Sequence, residues 1–311
     1  MAEPPIRTAL AAAAARSAHL IVDGDPKIFQ DSVALALLGS DADELIAVHR
    51  NSEEPLFAAL RGIMTSRSRH VEDRLAEAVD SGVDQYLLGS GLDSFAYRSP
   101  LVGKLRVFEV DHPDTQSWKL SRLAQARVTV PAQVQFVAVD FERDALHDRL
   151  VDAGLDMTRP SFITWLGVTQ YLSQEAIATT LSIMSGLAAG TELTLEYVLP
   201  AELRDDAGRD LADRLMPLAA AHGEPWLSFF SPTEMAALLD SCGFAVIAQV
   251  AQRDQVDAAL WNRSDGLRPI GLSQLVRAQL PRLAGPRAPP APAGQRLGVG
   301  STTAGQRAMA K

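Results

Sequence analysis

The sequence predicts an α/β protein of the Rossmann-like class, built on a mostly parallel, doubly wound sheet of about seven strands. Two observations support this prediction. From Val83 onward, short apolar runs alternate with helical patterns over five successive strand–helix units. The runs are apolar along most of their length, which is typical of parallel strands that helices cover on both faces.

The strands are placed by their apolar runs and by the turn residues beside them. Five successive candidates and a later sixth occupy residues 84–90, 105–111, 134–140, 161–168, 191–199 and 245–251. Helix signals separate them: Pro113 suits a first turn, Ser173 and Ser231 suit N-caps, and Gly154 suits a helix end.

Three further regions complete the predicted organisation. Residues 1–80 read as a mainly helical N-terminal cap beside a cofactor-binding domain at 81–281. The strand–helix rhythm breaks after the fifth strand, where 200–230 predict a helical insertion and a loop. Residues 282–311 are rich in Pro, Ala and Gly and predict a disordered tail.

Composition excludes several classes of protein. The formal net charge of -9 and the absence of a Lys/Arg cluster argue against a nucleic-acid-binding surface. One cysteine, Cys242, excludes an internal disulfide and is typical of a reducing compartment. No apolar run reaches the roughly 18 residues of a membrane span, and Glu3 stands where a signal peptide would be basic. We therefore expect a cytoplasmic protein without a membrane partner, and we leave its oligomeric state open.

Two glycines directly after the first strand predict a ligand site. Gly89 and Gly91 have no Cβ atoms, so a ligand can approach the backbone closely at the carboxyl end of the sheet. Acidic residues end the next two strands, Glu109 and Asp111 on the second and Asp140 on the third. Asp111 follows the glycines by about 20 residues, where a carboxylate can bind a ribose diol. The pattern predicts a nucleoside ligand.

The residues around the glycines favour one kind of nucleoside. A dinucleotide site prefers a third glycine where Ser94 stands, and Asp93 would repel a pyrophosphate. A sulfonium-bearing nucleoside with an ammonium group suits these carboxylates better. The alternative is a turn in which Asp93 caps a helix and the acids at the strand ends are merely solvated.

Six motifs resemble the leucine carboxyl methyltransferase type of class I S-adenosylmethionine-dependent methyltransferases, including its actinobacterial members. They are "SRSRHVED", "LLGSGLDSFAYR", "FEVDHPDTQSWK", "VAVDFERD", "WLGVTQYL" and "GEPWLSFFSPTEMAALLDSCGF", and the resemblance spans roughly residues 5–280. It implies that S-adenosylmethionine is the cofactor and that six residues bind it. These are Arg67 for the methionine carboxylate, Gly89 and Gly91 for the amino-acid portion, Asp111 for the ribose hydroxyls, and Asp140 with Phe141 for the adenine.

The resemblance also implies a second basic contact at Arg16, to cofactor or substrate. One position departs from the family pattern: Leu166 stands where many members carry a glutamate that contacts the ammonium or sulfonium region.

The predicted reaction is methyl transfer to a carboxylate or hydroxyl oxygen of a small molecule. A carboxylate acceptor needs no general base, whereas a phenol or alcohol needs one within hydrogen-bond reach. Candidate acceptor-side groups are His19, His112, His222, Tyr171 and Tyr197, and no base is assigned. No metal-ligand spacing is present. Two alternatives stay open: a nucleotide-binding oxidoreductase of similar topology, and a non-catalytic S-adenosylmethionine-binding protein.

Overall fold

The computed structural model describes residues 7–51, 54–140 and 144–282. Its helices are α1 (Arg7–Val22), α2 (Ala34–Leu38), α3 (Ala42–Asn51), α4 (Pro55–Asp80), α5 (Phe95–Arg98), α6 (Pro113–Gln125), α7 (Leu146–Asp152), α8 (Gln174–Met184), α9 (Asp206–Ala221) and α10 (Pro232–Ser241). Its strands are β1 (Gln85–Gly89), β2 (Arg106–Asp111), β3 (Val134–Ala138), β4 (Phe162–Trp165), β5 (Glu192–Val198), β6 (Ala245–Ala251) and β7 (Ser273–Gln279).

The seven strands form one sheet in the order β3-β2-β1-β4-β5-β7-β6. Strands β1 to β5 pair in parallel, whereas β7 runs antiparallel to both β5 and β6. The chain order reverses at β1 and β4, which is the switch point of a doubly wound sheet. The predicted fold class is confirmed, and β7 is the strand that the sequence did not locate.

Helices cover both faces of the sheet. On one face, apolar strand residues such as Phe108 and Trp165 pack against α7, α8 and α10. On the other face, Val71 and Leu75 of α4 pack against Tyr86 and its neighbours. Helix α4 is therefore a layer of the sheet domain, although its residues fall within the region that the sequence assigned to a separate cap.

Helices α1 to α3 lie over the turn that follows β1. Their small apolar residues form a cluster with Leu92 of that turn, with Ala13, Ala14 and Ala18 packed at its centre. The alanines allow the helices to pack closely, because they carry no bulk beyond Cβ. The N-terminal helices thus form one wall of the space beyond the sheet.

A buried carboxylate fastens this wall to the turn. Asp31 accepts hydrogen bonds from Arg16 Nε at 2.8 Å and from the Ser94 hydroxyl, and its Oδ1 also accepts from the Ala34 amide at 2.9 Å at the start of α2. Arg98 Nε lies 3.5 Å from the same carboxylate. Burial raises the pKa of Asp31, but the charges of Arg16 and Arg98 and the bond from Ser94 outweigh it, so the pKa lies below its ordinary value.

The predicted tail from residue 283 onward, together with Phe141, lies outside the described residues. No helix in the described part of the chain is long and apolar enough to cross a bilayer.

Replacing Asp31 by Asn should lower the free energy of unfolding by about 3–5 kcal/mol, because the buried Arg16 loses its counter-charge and Arg98 keeps only Glu72. Urea denaturation measures this change. The control is Asp43→Asn, an exposed carboxylate in the first turn of α3, which should cost less than about 1 kcal/mol. Equal losses in the two variants would contradict the assigned role of Asp31.

The contribution of Asp31 to the free energy of unfolding decreases at acidic pH. The pKa of Asp31 is lower in the folded than in the unfolded chain, so its contribution is present above the unfolded value of about 4. It is lost as the pH falls from there through the folded pKa. Acid denaturation of Asp31→Asn should therefore show a smaller loss of stability across this window than the wild type shows.

Candidate functional site

A cavity of about 520 Å³ opens at the carboxyl ends of β1, β2 and β4. The structure brings five of the six predicted cofactor residues together at its surface: Arg67, Gly89, Gly91, Asp111 and Asp140. The sixth, Phe141, lies outside the described residues. Arg16 also lines the cavity, with its guanidinium bound to Asp31 and, at 2.6 Å, to the Leu92 carbonyl. In this structure it holds the turn in place.

The turn after β1 needs glycine at one position. Gly91 has a φ of +43°, a conformation that side-chain-bearing residues rarely adopt. Its backbone N–H donates to Asp111 Oδ2, which joins the turn to the end of β2. Gly89 has ordinary backbone geometry, and the space beside it is limited by the Trp165 ring, 3.5 Å from where a Cβ would stand.

Asp111 is oriented by backbone amides. Besides the Gly91 bond, its Oδ1 accepts from the His112 amide at 2.7 Å. Burial raises the pKa of Asp111 above its ordinary value, although both amides oppose the shift. The cap of α6 is His112, whose Nδ1 accepts from the Asp114 amide at 3.3 Å, so capping that helix does not account for Asp111.

Glu109 lies inside the protein and does not line the cavity. It is fully buried, lies 2.7 Å from Lys119 Nζ, and accepts a 2.9 Å hydrogen bond from the Tyr97 hydroxyl. Its side chain leaves the same face of β2 as that of Asp111, but α6 covers it. Glu109 is therefore a structural partner of Lys119.

Arg67 faces the cavity and already has a carboxylate partner. Its Nη1 donates to Glu196 of β5, whose second oxygen accepts from the Ser273 hydroxyl at 2.9 Å. Gly167 makes room for the guanidinium, since a Cβ there would stand 3.2 Å from both terminal nitrogens, and its φ is +67°. The resemblance did not indicate this pairing.

A second pocket of about 280 Å³ adjoins the cavity. Its walls are mainly apolar, with Leu60 and Ile63 of α4, Leu215 of α9, and Trp226 of the loop after α9. Trp226 is the one residue of the "EPWLSFF" part of this loop in the described wall of the pocket, apart from Glu224. We call this space the tryptophan pocket.

Seven residues line both spaces, and we call them the junction. They are Thr8, Ala12, Met64, Arg67, Gln170, Tyr171 and Glu224. A molecule in the cavity and a molecule in the tryptophan pocket would meet there. The junction is thus the place in the described structure where a group could pass from one to the other.

Most of the predicted acceptor-side groups do not face this junction. His19 is buried, with Nδ1 bound to Asp23 at 2.8 Å and Nε2 accepting from the Ile28 amide at 3.0 Å. Tyr197 is also buried and donates to Gln249 at 2.6 Å. Both are corrected to structural residues, because their polar atoms are already used.

His112, His222 and Tyr171 do reach the two spaces. His112 lines the cavity alone and His222 the tryptophan pocket alone. Tyr171 lies in the junction. Burial raises the pKa of its hydroxyl above the usual value, although hydrogen bonding with the Gln170, Trp226 and Thr8 side chains opposes the shift. Tyr171 therefore stays protonated at neutral pH.

Sequence reasoning missed three polar residues of the site: Glu196, Gln170 and Glu224. A glutamate within the buried run "TELTLEYVL" was a usable signal, because a charged residue in a central strand needs a partner. Gln170 and Glu224 carry no such signal, since they stand in loops that only the fold brings together. Within the described ranges, no group of three His, Cys, Asp or Glu residues could hold a metal ion.

The chain is similar in sequence to known proteins along most of its length. A model of the leucine carboxyl methyltransferase family matches residues 9–185. The Bacillus subtilis (strain 168) protein named "Putative S-adenosyl-L-methionine-dependent methyltransferase YktD" is 31% identical over 295 residues, covering 87% of this chain and 96% of that protein. A Parafrankia protein with the same designation is 32% identical over 197 residues, covering 61% and 62% of the two chains.

Solved structures share the fold. A crystal structure of a "putative methyltransferase" from Thermobifida fusca superposes with a TM-score of 0.55 at 19% identity, covering 88% of this chain and 95% of that one. A DUF574 family protein from Streptomyces avermitilis superposes with a TM-score of 0.53 at 18% identity, covering 86% and 97%.

Proposed function

The chain belongs to the leucine carboxyl methyltransferase family and is an S-adenosylmethionine-dependent methyltransferase, and from this premise we propose that it methylates an oxygen atom of a small molecule held in the tryptophan pocket. One observation supports the proposal above the others. The cavity at the switch point and the apolar pocket meet at a shared set of seven residues. A methyl donor and an acceptor in these two spaces would be neighbours.

The residues of the cavity fit the cofactor. The carboxylate of Asp111 retains lone pairs beyond its two amide bonds, as a pair of ribose hydroxyls requires. The glycine turn offers bare backbone to the amino-acid portion, and Arg67 and Asp140 line the same space. When bound, S-adenosylmethionine supplies an activated methyl group on a sulfonium.

Leu166 lines the cavity where many relatives carry a glutamate. Another carboxylate, that of Asp93 in the turn after β1, lines the same cavity. Local negative charge is therefore present without the family glutamate. This arrangement supports cofactor binding despite the departure at position 166.

The chain's own contribution to the reaction is placement. Helix α1 and the loop with Trp226 form walls of the space in which the acceptor would lie, and those walls are mainly apolar. Holding two reactants in line can account for about 7–11 kcal/mol of the barrier. Membership of the family removes the oxidoreductase alternative, since relatives along nearly the whole chain are named as methyltransferases.

Titration calorimetry and product analysis test the proposal together. We expect S-adenosylmethionine and S-adenosylhomocysteine to bind and NAD not to bind. With a panel of phenols, alcohols and carboxylic acids, we expect S-adenosylhomocysteine and an O-methylated product to form in equal amounts. Binding without any turnover across the panel and a metabolite extract would favour a non-catalytic role.

Asp111→Asn should weaken S-adenosylhomocysteine binding at least tenfold, because one charge-assisted hydrogen bond contributes about 1.5–3 kcal/mol and tenfold corresponds to about 1.4 kcal/mol. Its matched control is Glu109→Gln, two residues earlier on β2. That change should lower the free energy of unfolding by roughly 3–5 kcal/mol, because Lys119 loses its partner, yet leave the cofactor Kd unaltered. An unchanged cofactor Kd in Asp111→Asn, with a weakened one in Glu109→Gln, would show that Asp111 does not bind the cofactor.

Trp226→Ala should raise the acceptor KM and leave S-adenosylhomocysteine affinity unchanged, because Trp226 lines the tryptophan pocket and not the cavity. We expect a change of roughly tenfold or more, since burying one large aromatic side chain contributes about 1.5–3 kcal/mol. Leu227→Ala is the control, since Leu227 is the next residue and is 55% exposed. A melting temperature that falls for Trp226→Ala with KM unmoved would assign Trp226 to the core.

A further inference from the structure

The junction contains two buried acceptor atoms that no donor satisfies. Gln170 Oε1 and Glu224 Oε2 are both buried, and neither has a hydrogen-bond partner among the described residues. The Gln170 residue as a whole is only 8% exposed. Buried acceptors are normally paired, so two of them at one opening indicate a ligand that brings a donor.

We propose that Glu224 is the catalytic base and that the acceptor is an alcohol or a phenol, which presents its hydroxyl to Glu224 and Gln170. This inference rests on the proposed oxygen methylation and narrows its substrate class. Neither the sequence motifs nor the family match assigns a role to Glu224.

The loop holds Glu224 with one oxygen engaged and the other available. Oε1 accepts from the Thr8 hydroxyl at 3.3 Å, and the Glu224 amide donates to the Ala219 carbonyl at 2.9 Å. The loop is held again directly after Trp226, since the Leu227 and Ser228 amides both donate to the Gln170 carbonyl. These contacts engage Oε1 and the backbone of Glu224, a junction residue, and leave its Oε2 without a partner in the described structure.

The charges of the tryptophan pocket disfavour a carboxylate acceptor. Among the described lining residues, Arg67 is the one arginine or lysine, and it is paired with Glu196. Glu224 then adds a further negative charge. An acceptor carboxylate would meet repulsion in a low-dielectric space, whereas a hydroxyl would donate a hydrogen bond.

In the proposed methyl transfer, each bond that forms is matched by a bond that breaks. The acceptor oxygen forms a bond to the methyl carbon while the carbon–sulfur bond breaks, and the electron pair of that bond returns to sulfur. The hydroxyl proton passes to Glu224 Oε2, so the products are a methyl ether, a neutral thioether and a protonated carboxyl group. Tyr171 cannot serve instead because it stays protonated, and His222 lies outside the junction.

The charged and titratable groups around Glu224 are His222 on its own loop, Tyr171 before α8, and the Arg67–Glu196 pair across the junction. Burial raises the pKa of Glu224, opposed by Thr8 and by the charge of His222. A base acts in its deprotonated form, so kcat/KM should fall as the pH drops below this raised pKa. The acidic limb should disappear in Glu224→Gln and persist in His222→Gln.

A binding experiment tests the inference without relying on turnover. Matched hydroxyl and acid compounds, such as 2-naphthol with 2-naphthoic acid and 1-octanol with octanoic acid, are titrated into the protein saturated with S-adenosylhomocysteine. We expect the hydroxyl compounds to bind more tightly than the acids. In Glu224→Gln their affinity should fall about tenfold, as for one charge-assisted hydrogen bond, while the acids bind no more weakly than before.

The kinetic experiment completes the test. Turnover of the hydroxyl compounds should fall at least a hundredfold in Glu224→Gln, as expected when a general base is lost. S-adenosylhomocysteine affinity and melting temperature should stay at wild-type values, as they should in the control Asp210→Asn on the exposed side of α9.

Three outcomes would overturn the inference. Weaker S-adenosylhomocysteine binding in Glu224→Gln would assign the carboxylate to the cofactor ammonium. Methylation of acids but not of hydroxyl compounds would reject the substrate class while leaving oxygen methylation intact. Failure to bind or methylate either class would reject oxygen methylation and this inference with it.

Discussion

The site depends on one buried ionic interaction, the contact of Asp31 with Arg16 and Arg98. It joins parts of the chain that are far apart in sequence: the first helix, the segment before α2, and the turn after β1. Without it, the buried Arg16 would lose its counter-charge beside the glycine turn, and Arg98 would keep only its pairing with Glu72. The N-terminal helices can wall the cavity because this carboxylate offsets the desolvation of the arginines that face them.

The sequence was sufficient for the fold class and for the edge of the sheet where the cavity lies, because both follow from local patterns. Apolar runs and helix signals gave the first six strands, and the glycines with Asp111 and Asp140 gave the edge of the sheet where the cavity lies. Strand β7 was missed because "SQLVRAQ" mixes polar and apolar residues, and it becomes a strand by pairing between β5 and β6.

The same reasoning could not find the junction. Gln170, Glu224 and Thr8 are far apart in sequence and meet only because α1 and the loop after α9 reach the same side of the sheet. His19 and Tyr197 were reasonable candidates by residue type. Their tertiary partners, Asp23 and Gln249, occupy the polar atoms that catalysis would need. The residue type shows which hydrogen bonds or proton transfers a side chain can make. Its tertiary contacts decide whether the polar atoms are still available for them.

The junction divides the residues around the two spaces into those that line both and those that line only one. A substitution at a junction residue such as Ala12 changes the shape of both spaces at once, so any gain for a new acceptor is tied to a change at the cofactor. Substitutions at Leu60, Leu215 or Leu218 alter the tryptophan pocket alone. Under the proposed placement of the acceptor, substitutions in α4 and α9 would change which acceptors fit and leave the lining of the cavity as it is.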